Sequence, residues 1–264
     1  MKNKLTLWIL ITTMNSWIER VKKELLPQLK NVDEVIISHQ ITDKNILPEE
    51  WNLWEKVKYF YMYDKWLSKN RNNAIKNSTS DICYICDDDL NLEEWFEEII
   101  KNEYLKSDFD IITFQAINEK WEKHFKLKKW EHNILSVLKI WSWWITFKRD
   151  FINKNNLTFD ENFWLGTLFP TWEENIFLMD LYKKWAKMYH SNKPIVFHPD
   201  ESSWINYNKD LIIARIKVFK RLFWFVWWIA WIFYFTVLHY KYYKWKFSVL
   251  DFFILSFKSL VNAE

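Results

Sequence analysis

Two periods of apolar and polar residues run along this chain, and they alternate. Leu5 to Thr13 (LTLWILITT) is a near-continuous apolar run ending in hydroxyls, the pattern of a strand buried in a parallel sheet. Ile18 to Leu29 follows with helical spacing and Pro27 near its end. Glu34 to Ser38 and Val57 to Met62 are the second and third strands, Leu67 to Lys76 a helix, and Ile82 to Cys86 a fourth strand. Leu92 to Leu105 is expected to be a helix, with acids early and Lys101 late as the helix dipole prefers. Asp110 to Gln115 and Ile145 to Phe147 read as strands, the latter followed by the polar run Lys148 to Asn156. Glu173 to Lys184 is a helix with Phe177, Leu178, Leu181 and Trp185 near one face, and Ile195 to Phe197 is a short strand ending at His198-Pro199. Strands alternating with helices predict an α/β domain with a mostly parallel sheet, closing near Asn208.

The last part is different. Leu222 to Leu238 holds 17 residues without a charge, about 26 Å as a helix and at the short limit for a membrane span. Lys220-Arg221 precede it and a His-Tyr-Lys border (239–244) follows, as at a headgroup interface. Phe247 to Val261 reads as a second helix, with Ser248, Asp251 and Lys258 on one stripe. Such a pair could lie in a membrane surface or pack as a hairpin on the domain or a partner subunit; we expect membrane association. The expected division is 1–208 for the α/β domain and 209–264 for a hydrophobic helical tail.

Composition changes the picture in two places. Net charge is only +3 over 264 residues, but from Lys209 onward nine Lys/Arg stand against three Asp/Glu, so the basic excess belongs to the tail. Cys83 and Cys86 lie three apart in a predicted strand, on opposite faces, and are expected to be reduced core residues. Lys2 and Lys4 precede the first apolar run without a small-residue cleavage site, which favours a buried strand over a leader.

The second change is one Gly beside 20 Trp, where ordinary usage predicts about 18 Gly. Trp185 follows Tyr182-Lys183-Lys184 where a helix end favours a left-handed residue. Trp66 and Trp17 precede helices in polar turns, Trp121 stands at a hairpin tip, and Trp143-Trp144 and Trp227-Trp228 read naturally as glycine pairs. We expect most of these positions to be glycine in the native protein, as follows if a stop codon reassigned to glycine was read as tryptophan. The other reading is a genuinely Trp-rich protein, and the gene's codons decide between them.

Candidate chemistry gathers after the fourth strand, where Asp87, Asp88 and Asp89 follow one another. In open α/β sheets ligands sit at that edge, and three adjacent acids repel unless a cation or bound polar group offsets them. A capping Asp cluster is the structural alternative. Further on, Glu173-Glu174 open the long helix.

With glycine at Trp66, Trp172 and Trp185, three blocks resemble glycosyltransferase family 2, the inverting enzymes of the A-type fold. Leu67-Ser68-Lys69-Asn70-Arg71-Asn72 resembles its G-x-S-x-x-R-N segment, Asp87 to Asp89 its D-x-D motif, and Trp172-Glu173-Glu174-Asn175-Ile176-Phe177 its G-E-D-x-x-F. His198-Pro199 and Ser202-Ser203 resemble the closing H-x-x-S-S, so the likeness covers about residues 5–205.

The resemblance implies a Rossmann-like A-type glycosyltransferase fold and a nucleotide-sugar donor, with UDP the expected nucleotide. A Mn²⁺ or Mg²⁺ ion would neutralise the departing diphosphate, held by Asp87 and Asp89 with His198 completing the shell and Asp88 toward the ribose; the triplet leaves the register open. Glu174, with Glu173 second, would be the base that deprotonates the acceptor hydroxyl, although the family's aspartate is one methylene shorter. Thr12, Thr13, Asn15, Ser68, Arg71 and Asn72 are the remaining expected donor contacts. Ser38-His39-Gln40 stand where the family has an acidic segment, which loosens the nucleotide assignment. The implied acceptor is a saccharide or lipid-linked hydroxyl in surface polysaccharide or glycolipid synthesis at the cytoplasmic face of a membrane. A sugar nucleotidyltransferase and an inactive scaffolding subunit are the competing readings. The first lacks a Gly-rich phosphate loop, and the intact acids argue against the second.

Overall fold

The computed structural model describes residues 5–48, 55–118, 122–123, 130–163, 172–198, 209–223, 236–237, 240, 244 and 248–261. Among them nine strands form one sheet, β1 (Leu7–Met14), β2 (Glu34–Gln40), β3 (Val57–Met62), β4 (Ile82–Asp87), β5 (Asn91–Leu92), β6 (Ile111–Ile117), β7 (Trp130–Glu131), β8 (Ile145–Lys148) and β9 (Met188–Phe197). Their order is β3-β2-β1-β4-β8-β6-β9-β5, with β7 on β9.

The apolar runs of β1, β2 and β4 become the centre of the parallel half, where Ile9, Ile11, Ile37 and Cys86 are fully buried. Register then places polar residues together at the C-terminal edge. Thr12 lies beside Ser38 on one side and Asp87 on the other, and paired residues face the same side of a sheet. The helix α2 (Leu67–Asn77) covers that side, where Asn73 Nδ2 donates to Ser38 Oγ at 2.8 Å.

The sheet is mostly parallel, as expected, with three reversed strands. β8 runs antiparallel to both β4 and β6, and β5 and β7 are antiparallel to β9. A strand-helix alternation gives no sign that the chain re-enters the sheet reversed. Three element boundaries also shift. The expected helix 18–29 is a tight segment of mixed turns, with α1 (Ile18–Arg20) flanked by 3₁₀ and π turns. Pro27 falls in its last 3₁₀ turn, having no N–H for a continuing helix. Residues 91–92 pair with β9, so helix α3 (Phe96–Leu105) begins later than its apolar pattern. β9 extends back to Met188, well before Ile195.

The remaining helices are α4 (Ile134–Val137), α5 (Arg149–Lys154), α6 (Glu173–Lys183), α7 (Lys209–Leu222) and α8 (Val249–Val261). Helix α7 is docked onto the body. Phe219 is buried edge-on against Trp172 at 5.5 Å, and Arg221 bonds both Asp180 oxygens (3.1 and 2.6 Å) and Asp160 (2.9 Å). Among the described residues no helix is long and apolar enough to cross a membrane. Most of 222–238, Ser202-Ser203, Trp121 and Trp227-Trp228 lie outside the described residues.

Backbone geometry bears on the tryptophans. Six described non-Gly residues have positive φ, and four are Trp: Trp66 (101°), Trp95 (66°), Trp172 (62°) and Trp185 (60°). For a bulky side chain this region is a genuine outlier and glycine is its ordinary occupant. Trp185 is 90% exposed, an indole in water at a helix end. Trp17 is ordinary by contrast (φ −64°), and Trp143 and Trp144 are buried in a 3₁₀ turn. Cys83 and Cys86 are buried free thiols, held protonated by burial.

Candidate active site

The ends of β1 and β4 border a cavity of about 600 Å³. Thr12, Thr13, Asp87, Asp88 and Asp89 line it, with Arg20, Gln40, Thr42, Lys65, Trp66 and Asn70. The three acids do different things there. Both oxygens of Asp87 are engaged, one by Arg71 Nη2 (2.8 Å) and one by Ser142 Oγ (3.0 Å). Asp88 accepts from Thr13 Oγ1 at 2.7 Å. Burial, with Asp87 and Asp89 adding repulsion, pushes its carboxyl up to about 6. Asp89 is raised by burial and by Asp87, and His198 opposes that rise. The His198 ring is stacked on Trp143 at 4.6 Å.

Arg71 connects this edge to the start of α6. Its guanidinium is 3% exposed. While Nη2 holds Asp87, Nη1 donates to Glu173 Oε1 at 2.8 Å, 102 residues away in sequence. Glu173 and Glu174 are neighbours in sequence and both are buried. Both carboxyls lie at the first turn of α6, where the helix dipole favours negative charge, yet burial dominates and raises both. Glu174 stands well above the usual carboxylate range because Glu173 adds repulsion, with Arg71 pulling the other way. A buried pair of carboxyls beside a fixed cation can accept or hold a proton.

Three of the expected donor contacts make hydrogen bonds within the fold. Asn15 Oδ1 accepts the Thr42 and Asp43 amides (2.8 and 3.1 Å). Ser68 Oγ donates to the Phe163 carbonyl at 2.9 Å. Asn72 exchanges hydrogen bonds with the Phe159 backbone (3.0 and 2.8 Å). None of the three is among the residues lining the cavity. Sequence reasoning missed Arg20, Lys65 and Asn70. Arg20 lines the cavity with Asp88 and Asp89 and lowers both acids by its charge, and its only signal was a cation one turn after the first strand. Asn70 donates to the Thr13 carbonyl at 3.1 Å while its own oxygen and Thr12 Oγ1 are buried without a partner.

Among the described residues no three His, Cys, Asp or Glu side chains are grouped to hold a metal alone. Asp87, which accepts from Arg71 and Ser142, lines the cavity together with Asp88 and Asp89, and these last two stand outside that network. That set fits Mg²⁺ or Mn²⁺, which take one or two carboxylates and complete their shells with water and substrate phosphate. Burial and mutual repulsion raise both acids, and a cation would relieve that repulsion.

The family model described as Glycosyl transferase family 2 matches residues 8–170. This chain belongs to that family. None of the curated proteins matches it. Among solved structures it is similar to S. aureus TarS 1–349, at 14% identity and a TM-score of 0.60 over 82% of this chain and 65% of that one. The same fragment in complex with UDP-GlcNAc gives 12% and 0.61, covering 82% and 66%. Against S. aureus TarS the figures are 14% and 0.60, covering 82% of this chain and 39% of that one. The chain thus spans slightly under two thirds of the 1–349 fragment. At this identity the likeness establishes the fold.

Proposed function

We propose that this chain is a metal-dependent inverting glycosyltransferase that moves a sugar from a UDP-sugar to an acceptor hydroxyl. The observation that carries this reading is one connected site: a cavity edged by Asp88 and Asp89 and tied through Asp87 and Arg71 to the Glu173–Glu174 pair. TarS, similar in fold, has been solved with UDP-GlcNAc and with UDP, which supports the donor class.

Asp88 and Asp89 would hold the cation, with His198 completing the shell, and the bound ion would supply positive charge to neutralise the diphosphate. Arg20 and Lys65 on the cavity wall add positive charge for the same leaving group. Glu174 takes the proton of the acceptor hydroxyl as its oxygen bonds to the anomeric carbon. The bond to the diphosphate breaks on the opposite face, and its electron pair leaves with the phosphate oxygen. Thr12 and Thr13 border the nucleotide.

The acceptor belongs to surface polysaccharide or glycolipid synthesis of a bacterial cell, at the inner face of the membrane. Helix α8 supports that location. Val249, Leu250, Phe253 and Ile254 are exposed on it while Phe252 is buried, and the segment from 209 carries the basic surplus that anionic lipids attract. We also propose that glycine is the native residue at most Trp positions. Left-handed backbone at Trp66, Trp95, Trp172 and Trp185 supports this; ordinary tryptophan codons at those four positions would refute it.

Calorimetric titration of UDP into the full chain, with and without Mn²⁺, tests the donor and metal parts. The expected result is binding that strengthens at least tenfold with Mn²⁺, with the gain lost in D89N. Equal binding with and without metal would contradict the metal assignment.

A further inference from the structure

Arg71 resembles a residue that binds a ligand, but both of its terminal nitrogens already hold carboxylates of this chain. Its terminal nitrogens are occupied at 2.8 Å by carboxylates from two other elements, Asp87 on β4 and Glu173 on α6. The guanidinium carbon lies over the Phe159 ring at 5.4 Å, so one planar face is covered too. Asp87 is fixed in turn by Ser142 Oγ at 3.0 Å. The result is a buried chain, Ser142–Asp87–Arg71–Glu173, crossing from the end of the parallel half of the sheet to the first turn of α6.

We infer that Arg71 is a positioning residue: it clamps Glu173 to Asp87, withdraws both carboxylates from ligand binding, and leaves Glu174 as the carboxylate that works. The geometry explains why two adjacent acids at one helix start need not be equivalent. Glu173 Oε1 takes the Arg71 hydrogen bond directly, whereas the Arg71 charge reaches Glu174 as a Coulombic pull. It also explains why three consecutive acids supply only two carboxylates to the cavity's ligand. A planar fork that engages two carboxylates at once is what Arg offers and a Lys ammonium does not reproduce. This inference rests on the proposed function only for the meaning of "works"; the clamp itself is a statement about the protein without substrate.

The test therefore reads Glu174 directly. In the full chain without donor or metal, the side-chain carboxyl carbon of Glu174 is followed by ¹³C NMR against pH, its resonance assigned by its loss in E174Q. The charged groups facing Glu174 are Glu173 on its own helix and Arg71 from α2, with Asp87 behind Glu173. Removing the like charge in E173Q should move the Glu174 midpoint down by about one pH unit or more, and removing the opposite charge in R71M should move it up by a similar amount. R71K should fall between wild type and R71M. If R71M does not fold, E173Q and R71K decide the matter. Midpoints within about 0.3 unit of wild type in both would overturn the clamp. So would tenfold weaker UDP binding in R71K with an unmoved Glu174 midpoint, because Arg71 would then be touching the ligand. Failure of wild type to turn over any UDP-sugar would sink the proposed function and leave this result standing.

Discussion

Two buried polar clusters sit beside strands β4 and β6, with only β8 between them, and handle charge in opposite ways. Beside β4, Arg71, Asp87, Glu173 and Glu174 bring ionised groups together and balance them with a single guanidinium. Across β8, Thr113 Oγ1 on β6 lies 2.7 Å from His132 Nε2 and 2.9 Å from His190 Nδ1, and His132 Nδ1 lies 3.0 Å from Ser136 Oγ. There burial keeps both imidazoles neutral, with His132 lowered to about 3 and His190 to about 4. The neutral cluster joins strands and asks nothing of solvent. The ionic one opens onto a cavity through Asp87, and burial raises Glu173 and Glu174 above the usual carboxylate range. A stable core can use the first arrangement; proton transfer calls for the second.

The sharpest way to break this comparison is to remove the centre of each cluster. R71M leaves Asp87 and Glu173 buried without their cation and should cost about 3–5 kcal/mol in urea unfolding. T113V leaves two imidazoles short of a partner and should cost about 1–3 kcal/mol. A larger loss in T113V would reverse the ranking.

Next comes E174Q, which replaces an acid held well above its usual range by a neutral isostere. It should raise Tm at pH 8 by about 2–4 °C, the effect of about 1 kcal/mol in a domain of this size, while abolishing transfer. A lower Tm would mean that Glu174 is a structural anion.

The two clusters should also pull oppositely against pH. His132 and His190 have native values below the ordinary 6.5, so the unfolded chain binds those protons first. Their stabilisation is present above pH 6.5 and is lost as pH falls toward 4. Glu173 and Glu174 are raised, so the native state binds the proton first, and stability grows as pH falls from neutral toward the ordinary 4.5. H190N should flatten the loss of Tm between pH 6.5 and 4, and an unchanged slope would show that this histidine is already charged in the native state.

The smallest effect expected concerns the tryptophans. W185G should stabilise by up to about 1 kcal/mol, because φ is +60° and the indole is exposed. W17G, at φ −64°, should instead lose about 0.5–1 kcal/mol in thermal unfolding. Equal responses would remove the backbone argument for glycine.

Much of the sheet was legible because continuous apolar runs have few alternatives. β1, β2, β3 and β4 fall within two residues of their expected limits. The reversed insertion of β8 was not legible, since periodicity reports that a strand exists but says nothing of its direction. At the site, the acid triplet and the Glu pair were visible as types at fixed spacings. Their division of labour was hidden, because it depends on Arg71 reaching residues 16 and 102 positions away. The bonds of Asn15, Ser68 and Asn72 within the fold were hidden for a related reason. A short polar side chain near a strand end serves a loop carbonyl as well as a ligand, and here all three bond to loops. Trp95 went unnoticed among the glycine-like positions because its turn sits inside what looked like one continuous helix.

The most direct measurement of the central claim is release of UDP from UDP-GlcNAc by the full chain with Mn²⁺, comparing wild type, D89N and E174Q. The account predicts turnover in wild type and at least a hundredfold loss in each variant, with D89N also losing its response to Mn²⁺. Turnover undiminished in both variants would contradict it.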